Sequence, residues 1–277
     1  MGYHTLPATF VSHVALNVSH LERSLIFYKQ VLGFRVFEHT NNRVSLTAGN
    51  GNPILTLYEI KDTEPNQGES SGLYHIALLL PSRRFLAELY IYARENEVLF
   101  EGAADHLTSE SVYLSDPDGN GLEIYADRPS SEWMWKNGRV AIDLIPLDTK
   151  DLLQETVGEW KGIPPGSRIG HVHLRVRSLE ESTCFYTRYF PYQVVSKYGS
   201  QAIYLSTEKY HHHIALNTWK NGVFVKGASF GIRSFTLAMT AQQRICTLRK
   251  LRADGYEVDC IGEHYIVEDP VGNTIFF

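Results

Sequence analysis

The sequence of 277 residues predicts an α+β protein built from four copies of one βαβββ unit. Three observations lead to this fold class. Short apolar runs with a two-residue period alternate with segments of helical period, in the same order four times. The helical stretch Leu21–Tyr28 is echoed by Leu179–Tyr186, and the turn Asp116–Asn120 is echoed by Asp269–Asn273. One unit cannot bury its sheet face alone, so four copies imply two homologous halves.

The units follow one another along the chain. The first opens on the alternating strand Ser12–Val18 and continues with a helix that ends at Gly33. Its other strands are predicted at Phe34–Phe37, Val44–Thr47 and Ile54–Tyr58. The second unit has a helix that ends at Asn96 and strands at Leu73–Leu79, Val98–Phe100, Ser111–Leu114 and Gly121–Tyr125. The third unit starts at Gly170–Val176, and the fourth starts at Arg233–Leu237.

A segment of different character separates the second unit from the third. It follows Arg128, includes a predicted short helix over 148–159 and ends at Pro164–Gly166. The sequence therefore predicts a first domain over residues 1–128, a connector over 129–166 and a second domain over 167–277. Because the connector is too apolar for a loose tether, we expect it to pack across both halves.

Two pairings of the four units are compatible with the repeat. Consecutive pairing joins the first unit to the second and the third to the fourth, and the short connections favour it. The alternative joins the first unit to the fourth and the second to the third. The choice decides which strands share a sheet, and therefore which side chains meet.

Composition argues against several classes of partner. The formal net charge of −5 provides no basic surface for nucleic acid or an anionic membrane. No apolar run approaches the roughly 20 residues of a membrane span, and the first residues lack a signal-peptide pattern. The three cysteines form no CxxC pair, which argues against disulfides and a thiolate zinc site. We therefore expect a cytoplasmic protein.

The stretch Tyr113–Tyr125 carries the first chemical signal. It is typical of a strand, a tight turn preset by Pro117 and a second strand, on which Glu123 points away from its apolar neighbours. His13 and His75 hold the same position, the start of the first strand, in successive units. Two imidazoles and one carboxylate with open positions form the facial set that suits non-haem Fe(II). We therefore expect these three side chains to bind one metal ion.

These features resemble the vicinal oxygen chelate superfamily of glyoxalases, bleomycin resistance proteins and extradiol dioxygenases. The resemblance rests on the fourfold repeat, the strands that begin at His13 and His75, and the turn that leads to Glu123. From His106 to Glu123 the chain is similar to the extradiol ring-cleaving pattern of a histidine, an aliphatic residue before a tyrosine, Asp-Pro-x-Gly and a glutamate. One position just before this stretch departs from the pattern, because Ala104 stands where the family usually has glycine or another of its accepted residues. The chain is most similar to two-domain catechol 2,3-dioxygenases of the bacillus type. The implied fold is two tandem vicinal-oxygen-chelate domains.

The resemblance also implies a reaction. Such enzymes are Fe(II)-dependent, or Mn(II)-dependent in some members, and open the ring of a catechol-like aromatic diol with O2. By resemblance, the ligands are His13, His75 and Glu123, while Tyr113 bonds a substrate oxygen and His106 lines the pocket. A homo-oligomer is compatible with this class.

The general base is the unresolved part of this resemblance. Many extradiol enzymes place a histidine base on the last strand of the first unit of the metal-binding half. Here Tyr58 lies in that region, and the nearest histidine is His39. A general base must lie within hydrogen-bond reach of the proton that it takes. Either Tyr58 or His39 is therefore the base, or the chemistry differs from that of the extradiol enzymes.

The second half of the chain tests the metal prediction. His171 matches His13, but Phe235 and Phe276 stand near the positions of the other two ligands, so we expect a degenerate site there. If the first unit pairs with the fourth, His171 replaces His13 as a ligand. The run His211–His213 alternates sides on a strand, so its rings cannot all face one cavity.

Two other functions stay open. A metal-dependent glyoxalase-type isomerase or thiol transferase usually has a fourth protein ligand, a glutamate, at the position where Tyr58 stands. A non-enzymatic protein that sequesters small molecules needs no metal ligands, so stoichiometric metal would count against it.

Overall fold

The computed structural model describes residues 2–49, 51–61, 71–219 and 231–277. The first unit comprises β1 (Phe10–Val18), α1 (Leu21–Gln30), β2 (Arg35–His39), β3 (Arg43–Thr47) and β4 (Leu55–Glu59). The second comprises β5 (Gly72–Leu79), α2 (Arg83–Glu95), β6 (Gly102–Asp105), β7 (Ser109–Ser115) and β8 (Gly121–Asp127). The connector contains β9 (Trp135–Lys136), β10 (Arg139–Val140), β11 (Ile145–Pro146) and α3 (Thr149–Leu152).

The second half repeats the same order of elements. The third unit comprises β12 (Arg168–Arg175), α4 (Leu179–Tyr189), β13 (Gln193–Tyr198), β14 (Ala202–Ser206) and β15 (Ile214–Asn217). The fourth comprises β16 (Gly231–Ala238), α5 (Ala241–Ala253), β17 (Asp259–Ile261), β18 (His264–Glu268) and β19 (Thr274–Phe276). The predicted α+β class and fourfold βαβββ repeat are confirmed. None of the described helices has the length and apolar character needed to cross a membrane.

The four units form two large sheets, and their pairing is not consecutive. The first sheet joins units one and four in the order β17-β18-β19-β16-β1-β4-β3-β2. The second sheet joins the connector strand β11 to units two and three in the order β11-β6-β7-β8-β5-β12-β15-β14-β13. The strand pairs β1–β16 and β5–β12 make these joints, and both are antiparallel. The favoured consecutive pairing of units is therefore wrong, and each sheet combines one unit from residues 1–128 with one unit from residues 167–277.

Successive units nevertheless touch through their helices and turns. The Asp116 carboxylate accepts hydrogen bonds from two backbone N–H groups of its own turn and from the hydroxyl of Tyr28 on α1. In the other half, Asp269 accepts the equivalent bonds, including one from Tyr186 on α4. Short connections therefore keep successive units in contact without placing them in one sheet, which is why loop length predicted the wrong pairing.

Alternation along the strands separates the core from the functional face. On β12, Val172 and Leu174 join the hydrophobic core. His171 and His173 are also buried but lie on the opposite face, as the two-residue period of a strand requires. The second sheet therefore has one apolar face and one face that carries polar, chemistry-bearing side chains.

The connector contacts both halves of the chain, as its apolar sequence predicts, and in the second half the hydroxyl of Ser196 donates to the carbonyl of Val140 at 2.9 Å. Its strand β11 adds to the second sheet beside β6. On the other side, the N–H of Ile163 donates to the carbonyl of Leu32 at 2.7 Å, and the indole of Trp160 donates to the carbonyl of Val31 at 3.2 Å. The predicted helix over 148–159 is shorter than expected, because α3 ends at Leu152 and a single 3-10 turn follows.

Two glycines allow the connector to approach the first unit closely. Gly33 and Gly162 both have positive φ, and a Cβ placed on Gly162 would lie 2.7 Å from the Cα of Gly33. We expect Gly162→Ala to destabilise the protein by about 2–5 kcal/mol, because it combines left-handed strain with a clash against backbone. Chemical denaturation measures the change. Gly51→Ala is the control, since its Cβ would meet nothing within 4 Å, and equal stability of both variants would contradict this account.

Candidate metal centre and substrate cavity

A cavity of about 540 Å³ lies against the polar face of the second sheet. Strands β5, β6, β7, β8 and β12 supply its inner wall, and the connector segment 142–146 supplies an outer wall. Aromatic side chains surround much of the remaining space: Tyr74, Tyr198, Tyr204 and Trp219. The volume and aromatic lining are typical of a site for a small organic molecule.

Three buried side chains meet on the inner wall of this cavity. The Nε2 atom of His75 lies 3.0 Å from Oε2 of Glu123, and Nε2 of His171 lies 3.2 Å from the same oxygen. The two Nε2 atoms are 3.3 Å apart. The strand order produces this meeting, because β5 lies between β8 and β12 and each strand carries one of the three groups. Within the described part of the chain, no other group of three such residues is compact enough to hold a metal ion.

The spacing of the three donor atoms fits a divalent metal ion. Bonds of about 2.1 Å place neighbouring donor atoms about 3.0 Å apart at right angles and about 3.4 Å apart in a tetrahedron. The observed separations of 3.0, 3.2 and 3.3 Å fall in this interval. Two imidazoles and one carboxylate on one side of an ion leave positions for exogenous ligands, which is the donor set of non-haem Fe(II) oxygenases. The residues present therefore fit such an ion.

Burial keeps the donors in the forms that bind metals. It lowers the pKa of His171 to about 4, so the ring is neutral at neutral pH. For Glu123, burial alone would raise the pKa, but the adjacent imidazoles of His171 and His75 outweigh this effect and hold it well below its usual range. A neutral imidazole and an ionised carboxylate are the metal-binding forms of these side chains.

His13 lies outside this cluster, so its predicted role as a ligand is wrong. It belongs to β1 in the first sheet, where its Nε2 atom lies 2.9 Å from the hydroxyl oxygen of Thr56. Burial lowers its pKa to about 4. His171 occupies the equivalent position beside His75 and Glu123, because unit three rather than unit one shares a sheet with unit two. His13 is a hydrogen-bonded histidine of the sheet.

The structure also removes both predicted candidates for the general base. Tyr58 lies on β4 in the first sheet, and the guanidinium of Arg233 stacks 4.5 Å above its ring centroid. His39 is exposed on β2, with its Nε2 atom 3.5 Å from a carboxylate oxygen of Glu22. Neither residue lines the cavity, because the whole first unit belongs to the other sheet.

The first sheet holds an incomplete version of the same cluster. The strand register places Ser234, rather than Phe235, at the position equivalent to His75. Phe276 takes the position equivalent to Glu123, as the sequence predicts. Neither a serine hydroxyl nor a phenyl ring replaces the missing ligands, so the described residues of this sheet do not reproduce the trio.

Tyr113 and His106 both lie in the cavity near Glu123. The hydroxyl of Tyr113 hydrogen-bonds Nε2 of His106, which lies 4.0 Å from Oε1 of Glu123. Burial, reinforced by the charge of Glu123, raises the pKa of Tyr113 well above 10, so its hydroxyl keeps its proton. The backbone carbonyl of Asp143 in the connector lies 2.8 Å from the other ring nitrogen of His106. Because a carbonyl only accepts, Nδ1 of His106 donates to it, and Nε2 of the neutral ring accepts the hydrogen bond of the Tyr113 hydroxyl, whose oxygen can still accept a further hydrogen bond.

His212 is the cavity residue that the sequence did not identify. It immediately precedes His213 and β15, the last strand of unit three, and its ring centroid lies 4.0 Å from that of His171. Burial lowers its pKa well below the usual value, so the ring is neutral. With unit three in the metal-binding half, this is the region where the extradiol resemblance implies a histidine base. The run His211–His213 was visible in the sequence, but its position beside the cavity could be predicted only from the correct pairing of units.

Ser111 supports the carboxylate of the cluster from behind. Its hydroxyl donates a hydrogen bond of 2.6 Å to Oε1 of Glu123, and both groups are buried. We expect Ser111→Ala to weaken metal binding about 10-fold, because groups that orient a ligand typically contribute 10–100-fold in affinity. Competition with a chelator for Mn(II) measures this change. Ser45→Ala removes a similarly buried hydroxyl from the first sheet and serves as the control, and an equal loss of affinity in both variants would contradict this role for Ser111.

Comparison with known proteins agrees with this architecture. The Glyoxalase/Bleomycin resistance protein/Dioxygenase superfamily matches residues 11–124. Catechol-2,3-dioxygenase of Bacillus subtilis (strain 168) is 36% identical over 274 residues, which cover 96% of this chain and 95% of that protein. Metallothiol transferase FosB of Staphylococcus epidermidis is 30% identical over 117 residues, which cover 42% of this chain and 81% of that protein.

Solved structures share the fold at low sequence identity. A crystal structure from Bacillus subtilis subsp. subtilis str. 168 has a TM-score of 0.66 at 17% identity and covers 96% of this chain and 84% of its own. Glyoxalase I from Zea mays has a TM-score of 0.58 at 14% identity and covers 97% of this chain and 91% of its own. These two comparisons establish the fold alone. Given the similarity to the curated Bacillus relative along nearly its whole length, the chain belongs to the glyoxalase/bleomycin resistance protein/dioxygenase superfamily.

Proposed function

We propose that the protein is an Fe(II)-dependent extradiol dioxygenase that opens the ring of a catechol-like diol, with His75, Glu123 and His171 as the metal ligands. The observation that carries the proposal is the trio of buried donor atoms, 3.0–3.3 Å apart, on the wall of an aromatic cavity. The Bacillus relative named catechol-2,3-dioxygenase supports it over nearly the full chain. Bound ferrous iron would chelate the two vicinal oxygens of the diol and supply the redox chemistry by which O2 opens the ring.

His212 is the side chain best placed to accept a proton from the diol. It is neutral, it lines the cavity, and its ring lies close to that of the proposed ligand His171. A general base must be unprotonated and within hydrogen-bond reach of its substrate. His212 meets the first condition, and its place on the cavity wall beside the metal ligands supports the second.

Tyr113 and His106 orient the substrate in this proposal. The hydroxyl of Tyr113 donates to Nε2 of His106, so its oxygen is left to accept a hydrogen bond from a substrate hydroxyl held near the ligands. His106 holds that hydroxyl in place and is itself anchored to the connector through Asp143. The aromatic side chains Tyr74, Tyr204 and Trp219 pack around a planar ring and exclude water from it.

Anaerobic reconstitution with Fe(II), followed by catechol and air, tests the proposal. We expect about one iron per chain and a yellow ring-fission product. A panel of substituted catechols extends the test to other diols. Stoichiometric iron with no product from any diol of the panel would refute the dioxygenase function.

Metal-dependent thiol transfer is the second candidate, because the FosB relatives match 117 residues of this chain. The match covers less than half of the chain, whereas the dioxygenase relative covers nearly all of it. Parallel assays for thiol transfer and for isomerisation of a thiohemiacetal distinguish the candidates. Activity in these assays without ring cleavage would favour the transferase or isomerase.

A further inference from the structure

A chain of hydrogen bonds runs from the cavity to the carboxylate of Asp127 at the end of β8. Nδ1 of His212 lies 2.8 Å from Nδ1 of His211, and Nε2 of His211 lies 2.8 Å from Oδ1 of Asp127. Both rings are buried, while the side chain of Asp127 is 23% exposed. The chain therefore begins at the cavity and ends at a carboxylate that reaches solvent.

The order of donors and acceptors along this chain follows from its chemistry. An ionised carboxylate only accepts, so Nε2 of His211 carries the proton that bonds Asp127. Nδ1 of a neutral His211 then has a lone pair, and this lone pair accepts a hydrogen bond from the N–H group at Nδ1 of His212. A neutral His212 with its proton on Nδ1 has a lone pair on Nε2. That nitrogen makes no hydrogen bond to any residue that the structure describes.

We propose that His211 and Asp127 are positioning residues that set the tautomer of His212, so that its Nε2 lone pair is free on the cavity side. The base role of His212 rests on the proposed function, whereas the tautomer does not. The hydroxyl of Tyr210 donates to the same oxygen of Asp127 at 3.2 Å, which fixes the far end of the chain.

The surroundings hold His211 in the orientation that this arrangement needs. Its ring centroid lies 4.0 Å from that of Tyr210 and 5.2 Å from that of Trp133. The indole of Trp133 donates to two backbone carbonyls, and the hydroxyl of Tyr210 also bonds Tyr125 at 2.7 Å. A ring packed among anchored aromatic side chains does not flip freely, so its two nitrogens keep distinct partners.

Two substitutions of His211 separate its hydrogen bond from its bulk. An asparagine at this position keeps an acceptor near the place of Nδ1, whereas a leucine fills the space without one. In Asp127→Asn, the amide can donate to Nε2 of His211, which reverses the chain and moves the proton of His212 to Nε2. His213→Asn is the matched control, because His213 is equally buried but bonds Ser206 and the carbonyl of Tyr3 instead.

The direct test reads the tautomer without activity. Long-range proton–nitrogen NMR correlations on ¹⁵N-histidine protein loaded with diamagnetic Zn(II) locate the proton of His212, which is assigned with His212→Asn. We expect the proton on Nδ1 in the wild type and in His213→Asn, and on Nε2 in Asp127→Asn. A wild-type proton on Nε2, or an unchanged tautomer in Asp127→Asn, would overturn the proposal.

Kinetics of the iron-loaded enzyme provide the second readout. We expect kcat on catechol to fall about 10–100-fold in Asp127→Asn and His211→Leu, with KM within about twofold and metal content unchanged. In His211→Asn, kcat should be higher than in His211→Leu and close to the wild-type value. Equal kcat in wild type and His211→Leu would overturn the positioning role. If the wild type shows no ring cleavage, the proposed function is refuted. The tautomer result would remain valid, because it is measured without activity.

Discussion

His171→Ala is expected to remove metal binding and ring cleavage together, while His13→Ala retains both. His171 provides one of three buried donor atoms, and its removal leaves two ligands and an open cavity. Loss of an orienting group behind a ligand costs 10–100-fold in affinity, so loss of a ligand should cost more than about 100-fold. Chelator competition with Mn(II) and iron content after anaerobic loading measure the change.

The comparison between the two histidines makes this result specific. Both are the fourth residue of the first strand of a βαβββ unit, and burial lowers the pKa of each to about 4. They differ in the sheet to which they belong, so equal effects of the two substitutions would contradict the site. Circular dichroism of each variant establishes that the fold is intact before metal binding is compared.

His212→Asn is expected to lower kcat by about 10²–10⁴-fold, the range for loss of a positioned acid or base. The asparagine amide keeps a donor near the place of Nδ1, so the bond to His211 survives while the cavity-facing nitrogen disappears. Because His212 is not a ligand, metal content and KM should stay close to the wild type. Steady-state kinetics with a catechol substrate, together with metal analysis, measure this separation.

The pattern of changes decides the role of His212. A fall in kcat with intact metal content supports a proton-transfer role. Parallel loss of metal and activity would show that His212 holds the ligand His171 in place instead. Unchanged kcat in a folded, iron-loaded variant would remove His212 from the chemistry.

Local sequence was sufficient to predict the unit and two of the three side chains that meet in the buried cluster. The alternation of β1 and β5, the helix that follows each strand and the Asp-Pro turn before Glu123 all depend on neighbouring residues. For this reason the four βαβββ units were correct. His75 and Glu123 were found for the same reason, since both lie in one unit and β5 and β8 are paired strands.

The pairing of units depended on contacts that a single sequence does not display. His13 and His171 stand in nearly identical local patterns, each followed by valine and, two residues further on, leucine. Their sheets differ because β12 lies beside β5 while β1 lies beside β16, through backbone bonds that any strand can make. The same error affected the expected base, because Tyr58 lies in unit one, whereas His212, which we propose as the base, belongs to unit three.

The connector added a feature that composition did not predict. Its apolar character indicated packing across both halves, and the structure agrees, because the connector pairs with β6 of unit two and bonds Ser196 of unit three through the carbonyl of Val140. The segment 142–146 forms one wall of the cavity because β11 pairs with β6. Composition does not predict this pairing. One wall of the cavity therefore comes from a segment outside the repeat.

Anomalous diffraction from crystals grown anaerobically with Fe(II) tests the central claim most directly. The account predicts one strong iron peak within bonding distance of Nε2 of His75, Nε2 of His171 and a carboxylate oxygen of Glu123. A peak beside His13, or iron that binds away from all three groups, would contradict it.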